Sequence, residues 1–422
     1  MLKNFCLTLF LSTALSFSTA RADIIAYVVN SYPGDETLSK INLTTGEVVN
    51  NILNLGVSPN QIVIWGDSAY VVNSLDHDIQ VINLKTESTA GYINIGEPRS
   101  PYHMAFADSQ YAYVTNWATN TISKVDIKNQ TVVGEYGVGR APEGILAVGN
   151  KLYICCSGFS WPKISGFYRQ DLIFDSAKRT KALKALSYIP GRVYVFDLDT
   201  ETVVDSILVG LNPQYLDLDP EGELNVVCTG DYSSVTGKVY RIDTRTNTVI
   251  DSISTGGTPG VISIGADGIG YLTAVGWTPD PGLIYSFNSI ADSMIYGQGN
   301  PITTDSGVIS VTTLFHSKVL SCNYQSDNVT LLDSSGTLIQ RYLVGNGPIS
   351  LALYPPWIEG DCNGDGELTV SDVVFLINYL FKGGYLPKFL SSADANCDGN
   401  VSVSDVVYLI NYLFKGGPAP GC

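Results

Sequence analysis

Oxygen donors at fixed intervals near the C-terminus are the part of this 422-residue chain best suited to chemistry. Asp361, Asn363, Asp365, Thr369 and Asp372 hold positions 1, 3, 5, 9 and 12 of a twelve-residue loop. Gly366 stands at position 6, where the chain must turn sharply, and Glu367 at position 7 offers a backbone carbonyl. The pattern returns 33 residues later as Asp394, Asn396, Asp398, Asn400, Ser402 and Asp405, with Gly399 at the turn. Hard oxygen ligands at these spacings suit calcium, with position 9 acting through water. Two loops predict two calcium ions.

Each loop leads into an apolar segment with 3–4 spacing, which predicts helices over 373–381 and 406–414. Val374, Ile377 and Leu380 would share the buried face of the first, and Val407, Ile410 and Leu413 that of the second. Lys382 and Lys415, each followed by Gly-Gly, mark the stops. The unit spans 357–422 and is small enough to need a staple. Cys397 with Cys422 is one disulfide that would tie the tail down, and Cys362 with Cys422 competes with it.

A duplicated loop and helix, with Asp at position 12 and no helix before the first loop, resembles the type I dockerin family. The resemblance implies calcium-dependent binding of a cohesin-like partner. Carried onto this chain, the partner-contacting positions are Val370, Ser371, Asn378, Tyr379 and Lys382, then Val403, Ser404, Asn411, Tyr412 and Lys415. The Ser and Lys residues agree with the family. Asn-Tyr departs from the Lys-Arg pair common in cellulosomal members. The near-identity of the two halves would let a partner bind in either orientation. The competing reading is that calcium here serves structure alone.

What must carry this tail is a repeat. Tyr27-Val-Val-Asn30 recurs as Tyr70-Val-Val-Asn73 and Tyr113-Val-Thr-Asn116, both at a spacing of 43. Weaker copies follow at Tyr153, Asn225, Tyr271 and Leu320, making seven units. Each unit holds four short strands, and the fourth begins at a Pro such as Pro59, Pro101, Pro142, Pro213, Pro259 or Pro348. Four strands at this period predict a mainly β chain, a seven-bladed β-propeller over 23–356 followed by the small helical calcium-loop domain. The lone strand at 349–354 would complete the first blade and lock the ring. The tetrads resemble the YVTN family of β-propellers, found in secreted and surface-layer proteins, which implies the fold and leaves the ligand open.

At the mouth of such a channel, the residues after each Pro include Gln61, His103, Glu143, Gln214 and Tyr215. One His and one Glu do not supply the three or more ligands a catalytic metal needs. No G-x-S-x-G elbow is present, and no catalytic residue is assigned. His77 and His316 are expected in solvated turns. The fourth unit carries an insertion at 157–191 with Trp161, Tyr168 and Arg169, a candidate lid over a ligand. A packed cover is the other reading. Cys155, Cys156 and Cys228 would be buried thiols or a strained or interblade bridge.

The N-terminus reads as a secretory signal over 1–22. Lys3 precedes an apolar run at 5–17, and Ala20-Arg21-Ala22 offers a cleavage site. No stretch is long enough to span a membrane. The net charge of −16, or −18 without Lys3 and Arg21, argues against a nucleic-acid partner. These features predict a secreted or cell-surface bacterial recognition and scaffold protein, whose propeller binds a carbohydrate or protein ligand and whose tail attaches it. The alternatives are a polysaccharide-degrading, glycosyl hydrolase-type component of an extracellular assembly, or a surface-layer or adhesive structural protein.

Overall fold

The computed structural model describes residues 23–160, 187–274, 279–314, 318–355, 358–385, 387 and 390–421. Seven four-stranded antiparallel units, one extended by an additional strand at Ile302–Thr304, form a seven-bladed propeller. The innermost strands are Pro59–Trp65, Pro101–Phe106, Pro142–Val148, Pro213–Leu218, Pro259–Ile264, Val308–Leu314 and Pro348–Tyr354. The last pairs antiparallel with Ile25–Tyr32, Leu351 lying opposite Val28. The first blade is therefore built from both ends of the ring, which leaves no inner edge open.

In each blade the tetrad strand is more buried than the inner one. In Tyr111–Asn116 every residue after the first is buried, and Val28, Val71 and Val114 are wholly inaccessible. Both faces of this strand meet neighbouring blades, so its pattern is continuously apolar instead of alternating. Each such Val or Ile adds about 1.5–3 kcal/mol of burial. The outermost strands stay largely exposed, alternating in Thr131–Gly137 and exposed in a continuous run at the start of Thr202–Leu208.

The tetrad Asn has a fixed task. Asn116 is fully buried, and its Nδ2 donates to Ser123 Oγ at 2.8 Å and to Thr121 Oγ1 at 3.0 Å. Asn30 repeats this with Ser39 Oγ at 2.8 Å and Thr37 Oγ1 at 3.2 Å. The amide thus satisfies buried and half-buried hydroxyls on the next strand.

After the ring come three helices: α1 (Val370–Lys382), the single turn α2 (Leu390–Ala393) and α3 (Val403–Lys415). The two long helices start three residues earlier than the apolar spacing predicts. Thr369 caps α1, with Asp372 reaching back in a capping box, and Ser402 with Asp405 does the same for α3. The end of each loop is therefore the first turn of its helix. Val373, Leu376, Val406 and Leu409 form the shared core, whereas Val374 and Val407 are 51% and 50% exposed. The expected assignment of those two valines to the buried face is corrected by about one position of helical phase.

Candidate functional site

The calcium loops are two copies of one geometry. Asp361 accepts from the amides of Asp365 and Gly366 at 3.1 and 2.8 Å. Asp394 accepts from Asp398 and Gly399 at the same two distances. Asp372 accepts from Asn363 and Thr369 at 3.2 and 2.8 Å, and Asp405 from Asn396 and Ser402 likewise. Gly366 and Gly399 sit at φ +86 and +85, a turn that disfavours any side chain.

Asp361 is 3% exposed, and Asp372 and Asp405 are fully buried. Burial first, then repulsion from Asp372 and Asp365, pushes Asp361 up to about 7. Burial also raises Asp372. Buried like-charged carboxylates wrapped by one loop are the chemistry of a cation site, so the residues fit calcium. Asp361, Asn363, Asp365, Thr369 and Asp372 would hold one ion with the Glu367 carbonyl, and Asp394, Asn396, Asp398, Ser402 and Asp405 another with that of Asn400. Among the described residues no three or more His, Cys, Asp or Glu side chains make a metal cluster by themselves. The loops instead offer a mixed set of carboxylate, amide, hydroxyl and carbonyl oxygens.

Of the residues matched to partner contact, Ser371, Lys382, Ser404 and Lys415 are exposed. Asn378, Tyr379, Asn411 and Tyr412 are half-buried, and Tyr379 packs against the module's core. Ser371 Oγ accepts from Asn363 Nδ2 at 3.0 Å, and Ser404 Oγ from Asn396 Nδ2 at 2.8 Å. Each loop is thereby tied to the face beside it. Sequence reasoning underrated the apolar stripe on that face. Val370, Val374 and Phe381 are 49%, 51% and 64% exposed, and Val403, Val407 and Phe414 are 51%, 50% and 64%. Their spacing of four and seven residues could have revealed it.

Cys397 is disulfide-bonded. Cys362 is a buried free thiol, which removes the Cys362–Cys422 pairing; Cys422 itself lies outside the described residues. Cys155, Cys156 and Cys228 are also buried free thiols, so neither a vicinal nor an interblade bridge forms.

The propeller encloses a cavity of about 910 Å³ along its axis. Gln61, His103 and Tyr215 line it near the Pro ends of the inner strands, together with Tyr102. Tyr102 stacks on His103 with ring centroids 4.7 Å apart, and His103 lies 5.5 Å from the Tyr215 ring. Gln61 Oε1 accepts from the Met104 amide at 2.7 Å. Glu143 and Gln214, expected at this mouth, do not line the cavity. Both are buried, at 3% and 9% exposure, and Gln214 accepts from Thr229 Oγ1 at 2.8 Å. A β-bulge after each Pro changes the register, between Pro142 and Ile145 and between Pro213 and Tyr215, and re-aims the following side chains.

His77 is half-buried, not solvated: its Nδ1 accepts from the Ser100 amide at 3.1 Å, joining blades two and three. Trp161, Tyr168, Arg169 and His316 lie outside the described residues. The root of the insertion is described: Phe159 pairs with Tyr188 in a two-stranded ribbon, and its ring lies 5.6 Å from Trp117 beside the mouth.

The propeller is similar in fold to several solved structures. A functionally unknown protein from Desulfotomaculum acetoxidans aligns with a TM-score of 0.56 and 15% identity over 78% of this chain and 98% of its own. A protein from Lactobacillus plantarum aligns with a TM-score of 0.56 and 14% identity over 78% and 99%. Hydrazine synthase of Kuenenia stuttgartiensis aligns with a TM-score of 0.54 and 17% identity over 71% and 91%. At these identities the likeness concerns fold alone. No curated protein matches the chain in sequence. Residues 359–414 match the family described as dockerin type I domain, whose members bind calcium. The chain is a seven-bladed β-propeller that carries a type I dockerin domain at its C-terminal end.

Proposed function

We propose that this is a secreted recognition and scaffold protein: the propeller presents a ligand- or protein-binding face, and the tail attaches it to a cohesin-like partner through two calcium ions. The observation that carries this reading is the pair of uncovered faces on α1 and α3. Each sets an exposed Val-Val-Phe stripe beside an exposed Ser and Lys. A module held together for structure alone has no reason to leave such stripes bare twice, since large exposed apolar residues in rows mark contact surfaces. Loop and face are coupled, because Asn363 and Asn396 each donate to the serine on the adjacent face. Loading a loop would therefore order the surface that a partner meets.

In the propeller, Tyr102, His103, Tyr215 and the Gln61 amide line the cavity together with Asp217 and Asp219, a mixed polar and aromatic surface suited to a ligand. The test is capture of the chain on immobilised type I cohesin modules, with calcium and with chelator. Retention in calcium that is lost in chelator, and lost when Phe381→Asp is combined with Phe414→Asp, supports the reading. Retention unaffected by either change contradicts it.

A further inference from the structure

The two calcium loops are nearly identical in hydrogen bonding but not in surroundings. They differ at position 4, which is Gly364 in the first loop and Cys397 in the second. Both residues have positive φ, +69 and +59, so backbone strain alone does not explain the choice of glycine. Space does. A Cβ on Gly364 would lie 2.7 Å from the Cβ of Ala266, which belongs to the turn between Pro259–Ile264 and Ile269–Ala274 in blade six. Cys397 is exposed and spends its side chain on a disulfide.

The burial of the next two positions follows the same division. Asp365 is half-buried and Gly366 buried, whereas their counterparts Asp398 and Gly399 are exposed. Part of the first loop's shielding is internal, since Ser392 Oγ donates to the Asp361 carbonyl at 3.0 Å. A second contact points the same way: Pro387, between the two halves of the tail, is buried and lines the propeller's cavity together with Ala266.

We propose that the first calcium loop is docked on the underside of the propeller at the Ala266 turn, which makes the two calcium sites inequivalent in the intact chain. The first holds its ion at an interdomain contact and fixes the tail across the lower end of the channel. The second holds its ion in the open. The inference rests on the calcium reading above and adds a cis partner for one loop. Site rigidity tunes how tightly a loop holds calcium. The docked loop must undock or strain to release its ion, while the open loop need not.

The test mixes the calcium-loaded full-length protein with a fluorescent chelator in a stopped-flow instrument. Two release phases separated by about tenfold or more are expected, a difference of about 1.4 kcal/mol in barrier. Asp365→Ala should remove the slow phase and Asp398→Ala the fast one. Ala266→Glu, which sets a bulky like charge against the acidic loop from an existing turn, should speed the slow phase to the rate of the fast one. The near-ultraviolet circular dichroism of the propeller should stay unchanged, which separates undocking from misfolding. Equal release rates in the unmodified protein, or a slow phase indifferent to Ala266→Glu, would overturn the docking while leaving the calcium reading standing. No bound calcium in any variant would overturn both.

Discussion

Tyr102 and Tyr215 bring their hydroxyls within 3.3 Å of one another, although one comes from blade three and the other from blade five. The blade between them permits this because its inner strand carries Gly144 at the crossing. A Cβ there would fall 2.6 Å from the Gln214 carbonyl and 3.2 Å from the Tyr215 Cα. The mouth of the channel is narrowed on this arc by a missing side chain, not by an added one. Gly144→Ala should therefore destabilise the propeller by about 1–3 kcal/mol through overpacking against backbone. Chemical denaturation compared with the unmodified chain measures this, and an unchanged midpoint would show that the arc yields without cost.

The tetrad Asn offers a sharper test of what the repeat is for. Asn116→Ala leaves Ser123 and Thr121 without their buried amide donor. A loss of about 1–3 kcal/mol is expected, chiefly from the buried Ser123 hydroxyl, since Thr121 Oγ1 keeps Glu135 and Thr119 as partners, and this is more than a surface Asn would cost. Asn120→Ala in the neighbouring turn, where the side chain accepts a single bond from the Ala141 amide, provides the comparison.

Without calcium, the tail should lose stability as pH rises. Asp361 is held up near 7, mainly by burial, against an ordinary value of 3.8. A carboxyl raised on folding stabilises the fold fully below its unfolded value and loses that contribution as pH climbs through the folded one. The decline should fall between about pH 4 and 7. Calcium reverses the order, because it binds the ionised form and displaces the proton. The helical circular dichroism band follows this, since all long helices among the described residues belong to the tail. A chelated tail more stable at pH 8 than at pH 5 would contradict the account.

Cys155, Cys156, Cys228 and Cys322 are buried free thiols, and burial raises each of them well above its ordinary value. Thiolate is the reactive form. None of the four should react with a thiol reagent while the chain is folded, and all should react after denaturation. Rapid labelling of the native protein would show that the blades open.

How much of this was legible in the sequence depended on range. The tetrads at 27, 70 and 113 fix a strand and its period locally, so the ring could be read from them. The calcium loops could be read because every ligand lies within twelve residues of the first. The helix starts were missed because Thr369 and Asp372 serve at once as loop positions and as cap and N3, and only the cap sets the boundary. Val374 was placed inside because phase was inferred from apolar type alone. Glu143 and Gln214 follow their blade Pro directly, which places them at the mouth by sequence alone, but a bulge at that point re-aims them. The approach of Gly364 to Ala266 joins positions almost a hundred residues apart in different domains, and no local pattern encodes it.

Calorimetric titration of calcium into the intact chain, with helical circular dichroism recorded alongside, bears most directly on the account. Two ions per chain with a coupled gain in helical signal is the predicted result. Binding of no calcium, or of calcium at sites that survive Asp361→Ala combined with Asp394→Ala, would contradict it.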